Sequence, residues 1–176
     1  MDAPSLPPEQ QQEQPEIAFD DYAGEHELPN IMAMIEAELS EPYSIYTFRY
    51  FTSPWPKLTI LCRDQADQRM IGVVVAKVDV RPKDGTRRGY IGMLAVDRGY
   101  RRHGLGSRLV QRVIERMRDD GCDEIVLEAD ATNAAALRLY ERLGFLRDKR
   151  LTRYYLTGHD AFRLKLWLNP HGESED

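Results

Sequence analysis

The chain has only two cysteines in 176 residues, Cys62 and Cys122, and they do not form a Cys-x-x-Cys motif. Two distant cysteines argue against a disulfide framework and indicate reduced, structural thiols of an intracellular protein. No apolar run is long enough to span a membrane, and the N-terminus lacks the basic and then apolar order of a secretion signal. We therefore expect a cytosolic protein without membrane attachment, with the nucleus as a second location that the sequence leaves open.

Metal-ligand spacing and an excess of positive charge are missing as well. None of the four histidines has a partner at the spacing of a metal site, so we predict no metal. The formal net charge is −5, which argues against nucleic acid as a general partner and predicts no direct nucleic-acid site. The arginines nevertheless cluster locally, and one cluster lies in a glycine-rich turn.

This basic, glycine-rich turn joins an apolar segment at residues 90–96 to an amphipathic one. Apolar residues recur at helical spacing after the turn, at Leu105, Leu109, Val110, Val113, Ile114 and Met117. Gly104 and Gly106 let a ligand approach the backbone, and the N–H groups and dipole at a helix N-terminus attract anions. Arg101 and Arg102 add full charges. The turn predicts a pyrophosphate site; the alternative is a basic helix start that only faces water.

Other phosphate-binding motifs do not match this turn. A P-loop needs Lys-Ser or Lys-Thr after its last glycine, where this sequence has Ser107 and Arg108. A dinucleotide site needs three spaced glycines and an acidic residue about 20 positions later. The basic-x-x-Gly-x-Gly pattern after a strand instead resembles the acetyl-CoA loop of the GCN5-related N-acetyltransferase (GNAT) superfamily. Residues 133–145 resemble that superfamily's helix after the fifth strand, which an Asn opens and Gly-Phe ends, with a Tyr two turns after the Asn.

Hydrophobic periodicity and chain breakers predict the element order βααβββαβαββ for one domain at residues 16–168. The predicted elements are strand 17–22, helices 28–39 and 46–51, strands 58–62, 70–78 and 90–96, the helix after the turn, strand 123–128, the helix from 133, and hairpin strands 147–156 and 161–168. Residues 1–15 and 169–176 are too polar to bury much surface and predict disordered tails. The resemblance implies an α/β (α+β) fold, with a central mixed sheet flanked by helices. It also implies that the strands of Val96 and Glu128 splay apart around the thioester.

The superfamily resemblance also implies which residues bind acetyl-CoA. The backbone at the strand end is expected to pair with the pantetheine arm, and one N–H group there to polarise the acetyl carbonyl. The implied cofactor-binding residues are Leu94, Ala95, Val96, Arg101, Arg102, His103, Gly104, Leu105, Gly106, Ser107, Asn133 and Tyr140. Asn133 also has an interpretation as a helix cap, which is compatible with a cofactor contact.

Further segments resemble, more narrowly, the NatC type of catalytic subunit that acetylates protein N-termini. They are residues 39–51, 147–156 and 160–168, together with Leu127 and Glu128. The resemblance implies a peptide groove with one wall in the loop before the second helix and the other at a tyrosine pair. The implied substrate-binding residues are Leu39, Glu41, Pro42, Tyr43, Ile45, Tyr154 and Tyr155. The alternative is that the two tyrosines only pack the terminal hairpin.

Glu128 and Tyr140 are the implied catalytic residues. Glu128 would accept a proton from the attacking amine, directly or through a water, and Tyr140 would donate one to the leaving thiolate. An α-amino group has a pKa of about 7.7–8.0, whereas a lysine side chain has a pKa of about 10.4. A general base therefore removes the proton from an α-amino group more easily. The alternatives are a solvated strand-end carboxylate and a core tyrosine. No cysteine lies in the motifs, which favours direct attack without a covalent enzyme intermediate.

These resemblances together imply an enzyme that acetylates the N-terminal α-amine of nascent proteins, with a preference for Met followed by a bulky apolar residue. They also imply a NatC-type complex whose auxiliary subunits mediate association with the ribosome. Acetylation of lysine or of a small-molecule amine by the same fold is an alternative, as is a non-catalytic acyl-CoA-binding subunit. Acetylation assays with a peptide panel separate these functions.

Overall fold

The computed structural model describes residues 14–39 and 41–168, and within them it has the predicted element order. The strands are β1 (Ile17–Asp21), β2 (Thr59–Asp64), β3 (Met70–Val80), β4 (Arg87–Val96), β5 (Glu124–Asp130), β6 (Leu146–Leu151) and β7 (Ala161–Trp167). The helices are α1 (Leu28–Glu38), α2 (Ile45–Thr52), α3 (Leu105–Asp119) and α4 (Ala134–Arg142), with short 3-10 turns at Glu25–Glu27, Pro56–Leu58 and Arg98–Tyr100. The tails predicted at residues 1–15 and 169–176 lie outside the described residues, apart from residues 14 and 15.

The strands form one seven-stranded mixed sheet in the order β1-β2-β3-β4-β5-β7-β6. Neighbouring strands are antiparallel except β4 and β5, which are parallel and connect through α3, the kind of crossover that parallel strands require. β4 begins earlier than predicted because Arg87 still pairs with Val80 of β3. The predicted fold, a mixed sheet flanked by helices, is confirmed.

Helices cover both faces of the sheet because each presents one apolar stripe. On one face, α3 buries all six residues of its predicted stripe, from Leu105 to Met117. On the other face, α1 and α2 bury Ile31, Ile35 and Phe48 in a separate core. Removing a fully buried Leu, Ile or Phe from water contributes about 1.5–3 kcal/mol. These two layers hold β4 and β5, which carry the site, between them.

A β-bulge in β4 changes the face of the sheet that its side chains occupy. Val75 of β3 pairs with Met93, but the next residue, Ala76, pairs with Ile91, so Gly92 is the extra residue. Ile91 therefore packs in the core beneath α3, whereas Met93 packs in the core beneath α1 and α2. The residues on either side of the bulge thus belong to different layers.

The aromatic ring above the bulge requires a glycine there. A Cβ atom on Gly92 would lie 2.7 Å from Cζ of Phe51 on α2, closer than non-bonded carbons approach. Phe51 also stacks on Tyr90, with ring centroids 6.4 Å apart. The glycine lets α2 lie close to β4, and this contact helps to orient the Tyr90 side chain.

The bulge follows the point at which β4 and β5 part. Their parallel pairing is limited to Arg88 with Glu124, Gly89 with Ile125 and Tyr90 with Val126. At this closed end, Glu124 is buried and forms ion pairs with Arg88 at 2.8 Å and with Lys165 at 3.6 Å. Beyond it, β5 pairs only with β7. The gap predicted between the strands of Val96 and Glu128 is present.

The terminal hairpin differs from its prediction, since β6 ends at Leu151 and not at residue 156. Arg153 has φ 49, in the left-handed region, which interrupts the strand. The carbonyl of His159 then accepts the N–H groups of Tyr154 and Tyr155 at 3.0 and 3.2 Å. The tyrosine pair therefore lies in a turn, residues 152–160, which we call the tyrosine turn.

Both cysteines are buried, free thiols. Burial raises the pKa of Cys62 to about 12 and that of Cys122 to about 11. Neither thiol therefore carries the thiolate that a nucleophile needs at neutral pH. Within residues 14–39 and 41–168, no helix combines the length and the apolar character that crossing a bilayer demands.

Candidate active site

A cleft of about 540 Å³ opens between the parted ends of β4 and β5. Its walls come from both strands, from the ends of α1 and α4, and from the loops that face them. It is lined by Leu94, Asn133 and Tyr140 from the predicted cofactor set, by Leu39, Glu41, Tyr43 and Tyr155 from the predicted peptide set, and by Glu128. The fold thus brings both predicted catalytic residues to one cavity.

The predicted phosphate motif, residues 101–107, spans the end of a turn at residues 97–104, which we call the phosphate turn, and the start of α3, which has no side-chain cap. Gly104, the N-cap of α3, has φ 67 and makes no side-chain capping bond. In α4, by contrast, Oδ1 of Asn133 accepts the N–H of Ala136 at 3.1 Å. Among residues 14–39 and 41–168, no side chain caps the first N–H groups of α3, so they can bind an anion, which the helix dipole favours. Apart from the residues next to it in the chain, no atom of the described residues lies within 4 Å of the position that a Cβ atom on Gly104 would take. A ligand can therefore approach the Gly104 backbone closely.

Gly106 lies where the packing of α3 leaves little room for a side chain. A Cβ atom there would lie 3.0 Å from Cδ1 of Leu139 on α4 and 3.8 Å from Cδ2 of Leu94 on β4. The absence of a side chain lets α3 approach both elements. The sequence predicts ligand approach at both Gly104 and Gly106, and the structure adds a packing role for Gly106.

The two arginines predicted to contact the phosphates, Arg101 and Arg102, also differ. The guanidinium of Arg101 bonds to Glu38 at the end of α1, and Nε of Arg98 lies 3.7 Å from the same carboxylate oxygen. Arg102 is exposed, adopts φ 77, and has no carboxylate partner among the described residues. His103 is exposed beside it. Of the predicted pair, Arg102 is the arginine whose charge remains available for a phosphate.

The backbone of β4 beyond the bulge forms one edge of the cleft. Ala95 is buried in the core under α1 and α2, whereas Leu94 and Val96 pack against the core under α3. β4 has no pairing with β5 beyond Tyr90. The backbone groups on that side are available to an extended ligand arm, which is the geometry that the predicted pantetheine contact needs.

Glu128 lies on β5, directly opposite Arg163 of β7. The Tyr90 hydroxyl donates to its Oε2 at 2.6 Å, and Nη2 of Arg163 donates to its Oε1 at 3.3 Å. Burial, followed by the hydrogen bond to Glu128, raises the pKa of Tyr90, which therefore keeps its proton. Because only 9% of the Glu128 side chain is exposed, the interpretation as a solvated strand-end carboxylate does not fit.

Tyr140 is both a core residue and a cleft residue. It is 7% exposed, packs edge-on against Phe145 with ring centroids 5.6 Å apart, and still lines the cleft. Burial alone raises the pKa of its phenol. Asn133, about two helical turns earlier, lines the same cleft, which is the shared face that their spacing predicts.

The peptide loop, formed by Leu39, Glu41, Pro42 and Tyr43, faces the tyrosine turn across the cleft. Oε1 of Glu41 accepts the N–H of Leu156 at 2.9 Å and ties the loop to that turn. Within the turn, the rings of Tyr154 and Tyr155 meet edge-on at 5.0 Å. The two predicted walls of the groove are therefore connected at one point.

Three residues predicted for the peptide, Pro42, Ile45 and Tyr154, do not line this cleft. Pro42 lines an adjoining cavity of about 500 Å³, which shares Leu39, Glu41 and Tyr43 with the cleft. Ile45, the first residue of α2, packs against the core under α1 and α2 and lines neither space. The adjoining cavity is the candidate pocket for a bulky apolar side chain.

Several residues of the site have no distinct signal in the sequence. Tyr90 and Arg163 reach Glu128 only through strand register. Asp130, which alternation places on the same face of β5 as Glu128, bonds through Oδ2 to Nδ1 of His159 at 2.8 Å. Among the residues that the structure describes, no group of His, Cys, Asp and Glu side chains is arranged to hold a metal ion.

Comparisons with known proteins agree with this geometry. Residues 28–145 match the model of the Acetyltransferase (GNAT) family. N-alpha-acetyltransferase 30 of Homo sapiens is 53% identical over 152 residues, which are 86% of this chain and 41% of the human protein. N-alpha-acetyltransferase 30 of Saccharomyces cerevisiae is 48% identical over 152 residues, 84% of this chain and 85% of the yeast protein.

A solved structure is similar over the same region. The crystal structure of the NatC complex bound to Gag peptide and CoA contains a chain 45% identical to this one, with a TM-score of 0.84 over 88% of this chain and 99% of that chain. This chain spans less than half of the human relative and most of the yeast relative. The chain belongs to the GNAT acetyltransferase family and, within it, to the N-alpha-acetyltransferase 30 branch.

Proposed function

We propose that the chain transfers the acetyl group of acetyl-CoA to the N-terminal α-amino group of proteins. The observation that carries the proposal is a single cleft with Glu128 and Tyr140 on its walls, between an uncapped helix start and the tyrosine turn. The names of the relatives, N-alpha-acetyltransferases, and the similar chain in a NatC complex bound to peptide and CoA support it.

The residues present fit acetyl-CoA in two places. Arg102 and the free N–H groups at the start of α3 suit its pyrophosphate, and Gly104 leaves space for close approach. The edge of β4 that lacks a partner suits the amide groups of its pantetheine arm. When bound, acetyl-CoA supplies the acetyl group as a thioester. The remaining chemistry falls to side chains of this protein.

Glu128 is placed to receive the proton that the amine loses. An α-amino group has a pKa of about 7.7–8.0, so part of it is protonated at neutral pH. A carboxylate has about four acceptor positions, and Tyr90 and Arg163 each donate one hydrogen bond to Glu128. Glu128 can still accept a hydrogen bond from an incoming ammonium and take its proton, directly or through a water.

Tyr140 is placed to assist the leaving thiolate. A thiol has a pKa of about 8.5, whereas burial raises the pKa of Tyr140 above that of an ordinary phenol. Complete proton transfer from the phenol to the thiolate is therefore uphill. Tyr140 contributes by donating a hydrogen bond to the sulfur as negative charge develops on it, a form of electrostatic stabilisation.

The peptide side of the cleft favours apolar side chains. Leu39, Pro42 and Tyr43 present apolar surface to the adjoining cavity. Burial of a substrate Leu or Phe there contributes about 1.5–3 kcal/mol. An extended N-terminal segment can enter between the peptide loop and Tyr155, whereas a lysine in mid-chain brings two flanking segments that the walls obstruct. We therefore assign Met followed by a bulky apolar residue as the preferred substrate.

Peptides that start with Met-Leu, Met-Ile or Met-Phe are expected to be acetylated at least about tenfold faster, by kcat/KM, than peptides that start with Ser or Ala, because 1.4 kcal/mol of extra burial is a factor of ten. Product mass spectrometry on a panel of peptides with free N-termini measures this. A preference for Ser, Ala or internal lysine would contradict the assignment. Tight acetyl-CoA binding without any turnover would support the non-catalytic alternative.

Variants of the two walls check where this preference arises. Tyr43→Ala and Tyr155→Ala should raise the KM of a Met-Leu peptide with little effect on the Kd of acetyl-CoA, since both residues line the peptide side of the cleft. Tyr46→Ala, at an α2 position that is 75% exposed, is the matched control. If Tyr155 only packs the hairpin, its variant loses stability and its peptide KM stays unchanged.

Arg102→Ala is expected to weaken acetyl-CoA binding by about 1–3 kcal/mol, the range of a charge-assisted hydrogen bond. Isothermal titration calorimetry measures the change in Kd. Arg118→Ala, an exposed position at the other end of α3, removes the same charge away from the turn and serves as the control. Equal affinities in the two variants would show that Arg102 does not contact the phosphates.

We also propose that the chain acts as a catalytic subunit together with auxiliary subunits of the NatC type. The support is the similar chain in the NatC complex. Association with the ribosome through those subunits, a cytosolic location, and nascent polypeptide N-termini as substrates belong to the same proposal. Co-sedimentation of the tagged chain with ribosomes, with and without its partners, tests the link.

A further inference from the structure

Glu38, the last residue of α1, joins the two halves of the site. Its carboxylate bonds to Arg101 of the phosphate turn, and Nε of Arg98 lies 3.7 Å from the same oxygen. The Glu38 side chain is 11% exposed and lines the cleft, whereas that of Arg101 is 55% exposed. A nearly buried carboxylate needs a cation, so removal of Arg101 leaves Glu38 poorly compensated.

Helix stability does not account for an acidic residue at this position. The last turn of a helix carries partial negative charge, which disfavours a carboxylate there. The last turn of α1 contains no basic residue that could offset the charge. The compensating cation, Arg101, comes from a position 63 residues later in the chain. The partner of Glu38 is therefore the phosphate turn and not its own helix.

The peptide loop starts at the residue after Glu38 and is held from both sides. Leu39 follows α1 in an extended conformation, with φ −112 and ψ 141. Farther along the loop, Glu41 accepts the N–H of Leu156 in the tyrosine turn. Loss of the Glu38 contact therefore removes the polar contact at the start of the loop, and Tyr43 then depends on the Glu41 hydrogen bond and on its edge-on packing against Phe48.

The phosphate turn, by contrast, keeps other anchors. Asp97 forms an ion pair with Arg69 at 3.2 Å, and the hydroxyl of Tyr100 donates to Asp64 at 2.5 Å. These contacts attach the turn to β2 and to the loop between β2 and β3. Because the turn is fixed without Glu38, the element that depends on the Glu38 contact is the peptide loop.

We propose that Glu38 is a positioning residue that holds the peptide loop against the phosphate turn through Arg101. The proposal rests on the proposed function, which assigns the loop to the peptide and the turn to acetyl-CoA. In this arrangement the charge of Arg101 serves peptide binding. The pyrophosphate is left to Arg102 and to the N–H groups at the start of α3.

Two single variants and their combination test the proposal. Glu38→Gln and Arg101→Gln should each raise the peptide KM at least about fivefold, the lower end of typical coupling between sites, while the acetyl-CoA Kd changes by less than about twofold. The exchanged pair, Glu38→Arg with Arg101→Glu, again places opposite charges together. It should recover most of the lost KM, which a residue needed only for folding would not do.

The control is Glu25→Gln, which removes a surface pair with Arg49 at 2.7 Å and should change neither constant. Unchanged peptide KM in Glu38→Gln, or weakened acetyl-CoA binding in Arg101→Gln, would overturn the proposal. If thermal melting shows that a single variant does not fold, the exchanged pair tests the proposal instead. A raised peptide KM in the exchanged pair counts against the proposal. If the unsubstituted chain acetylates no peptide at all, the proposed function fails first, and this proposal fails with it.

Discussion

Replacing Glu128 with Gln, or Tyr140 with Phe, is expected to lower kcat by about 10²–10⁴-fold, the usual contribution of a positioned acid or base. Each substitution keeps the shape of the side chain and removes the group that exchanges or shares a proton. Acetyl-CoA binding should persist in both, because the phosphate turn and the edge of β4 are unchanged. Steady-state kinetics with a Met-Leu peptide and calorimetry with acetyl-CoA measure the two effects.

The pH dependence separates the two roles. Above the amine pKa of about 7.7–8.0 the substrate is already neutral, so the defect of Glu128→Gln should shrink as the pH rises through this range. The defect of Tyr140→Phe should not shrink, since the phenol acts on the leaving group. Glu115→Gln and Tyr46→Phe, both at exposed positions, are the matched controls. Turnover close to normal in both site variants would remove the support for this catalytic pair.

Gly104→Val should weaken acetyl-CoA binding at least about 100-fold, because it obstructs two or more hydrogen bonds to a charged group, each worth about 1.5–3 kcal/mol. At this position φ is 67, and the space around a Cβ is open to solvent. A side chain there would stand where the pyrophosphate approaches the free N–H groups of α3. Gly106 is a poorer test, since a side chain there meets Leu139 and disturbs helix packing.

Gly121→Val is the matched control for the backbone strain. Gly121 follows the other end of α3, has φ 77, and likewise has open space around a Cβ. Both variants place a branched side chain in the left-handed region, so they should lose similar stability in thermal melting. Only Gly104→Val should lose the cofactor. Equal acetyl-CoA affinity in the two would move the phosphate site away from this turn.

The parts of the molecule that local pattern determines could be predicted from the sequence. The buried stripe of α3 and the cap at Asn133 depend on residues close together in the chain, and both are found where they were predicted; the strand before α3 is present but begins at Arg87. The placement of Glu128 and Tyr140 in one cleft followed from the resemblance, which supplies the long-range arrangement that periodicity lacks.

The remaining features depend on contacts between distant segments. The bulge at Gly92 is fixed by the Phe51 ring, and the Tyr90–Glu128 hydrogen bond depends on the register of β4 against β5. No local pattern states that Arg101 would pair with Glu38 and not with a phosphate. The alternation of residues 147–156 also predicted that β6 runs to residue 156. The strand ends at Leu151 because Arg153 has a left-handed backbone conformation.

An ordinary open sheet has two edges, and this one has four. Besides the outer edges at β1 and β6, the parted halves of β4 and β5 leave two inner edges, joined only at the three residue pairs of the closed end. An unpaired edge is normally a place where a foreign strand adds on. Here the two inner edges face a cleft of about 540 Å³, the size of a small-molecule or short-peptide site. A ligand that pairs with these inner edges would complete the sheet. Because such a ligand binds only the folded chain, its binding would also stabilise the fold against unfolding.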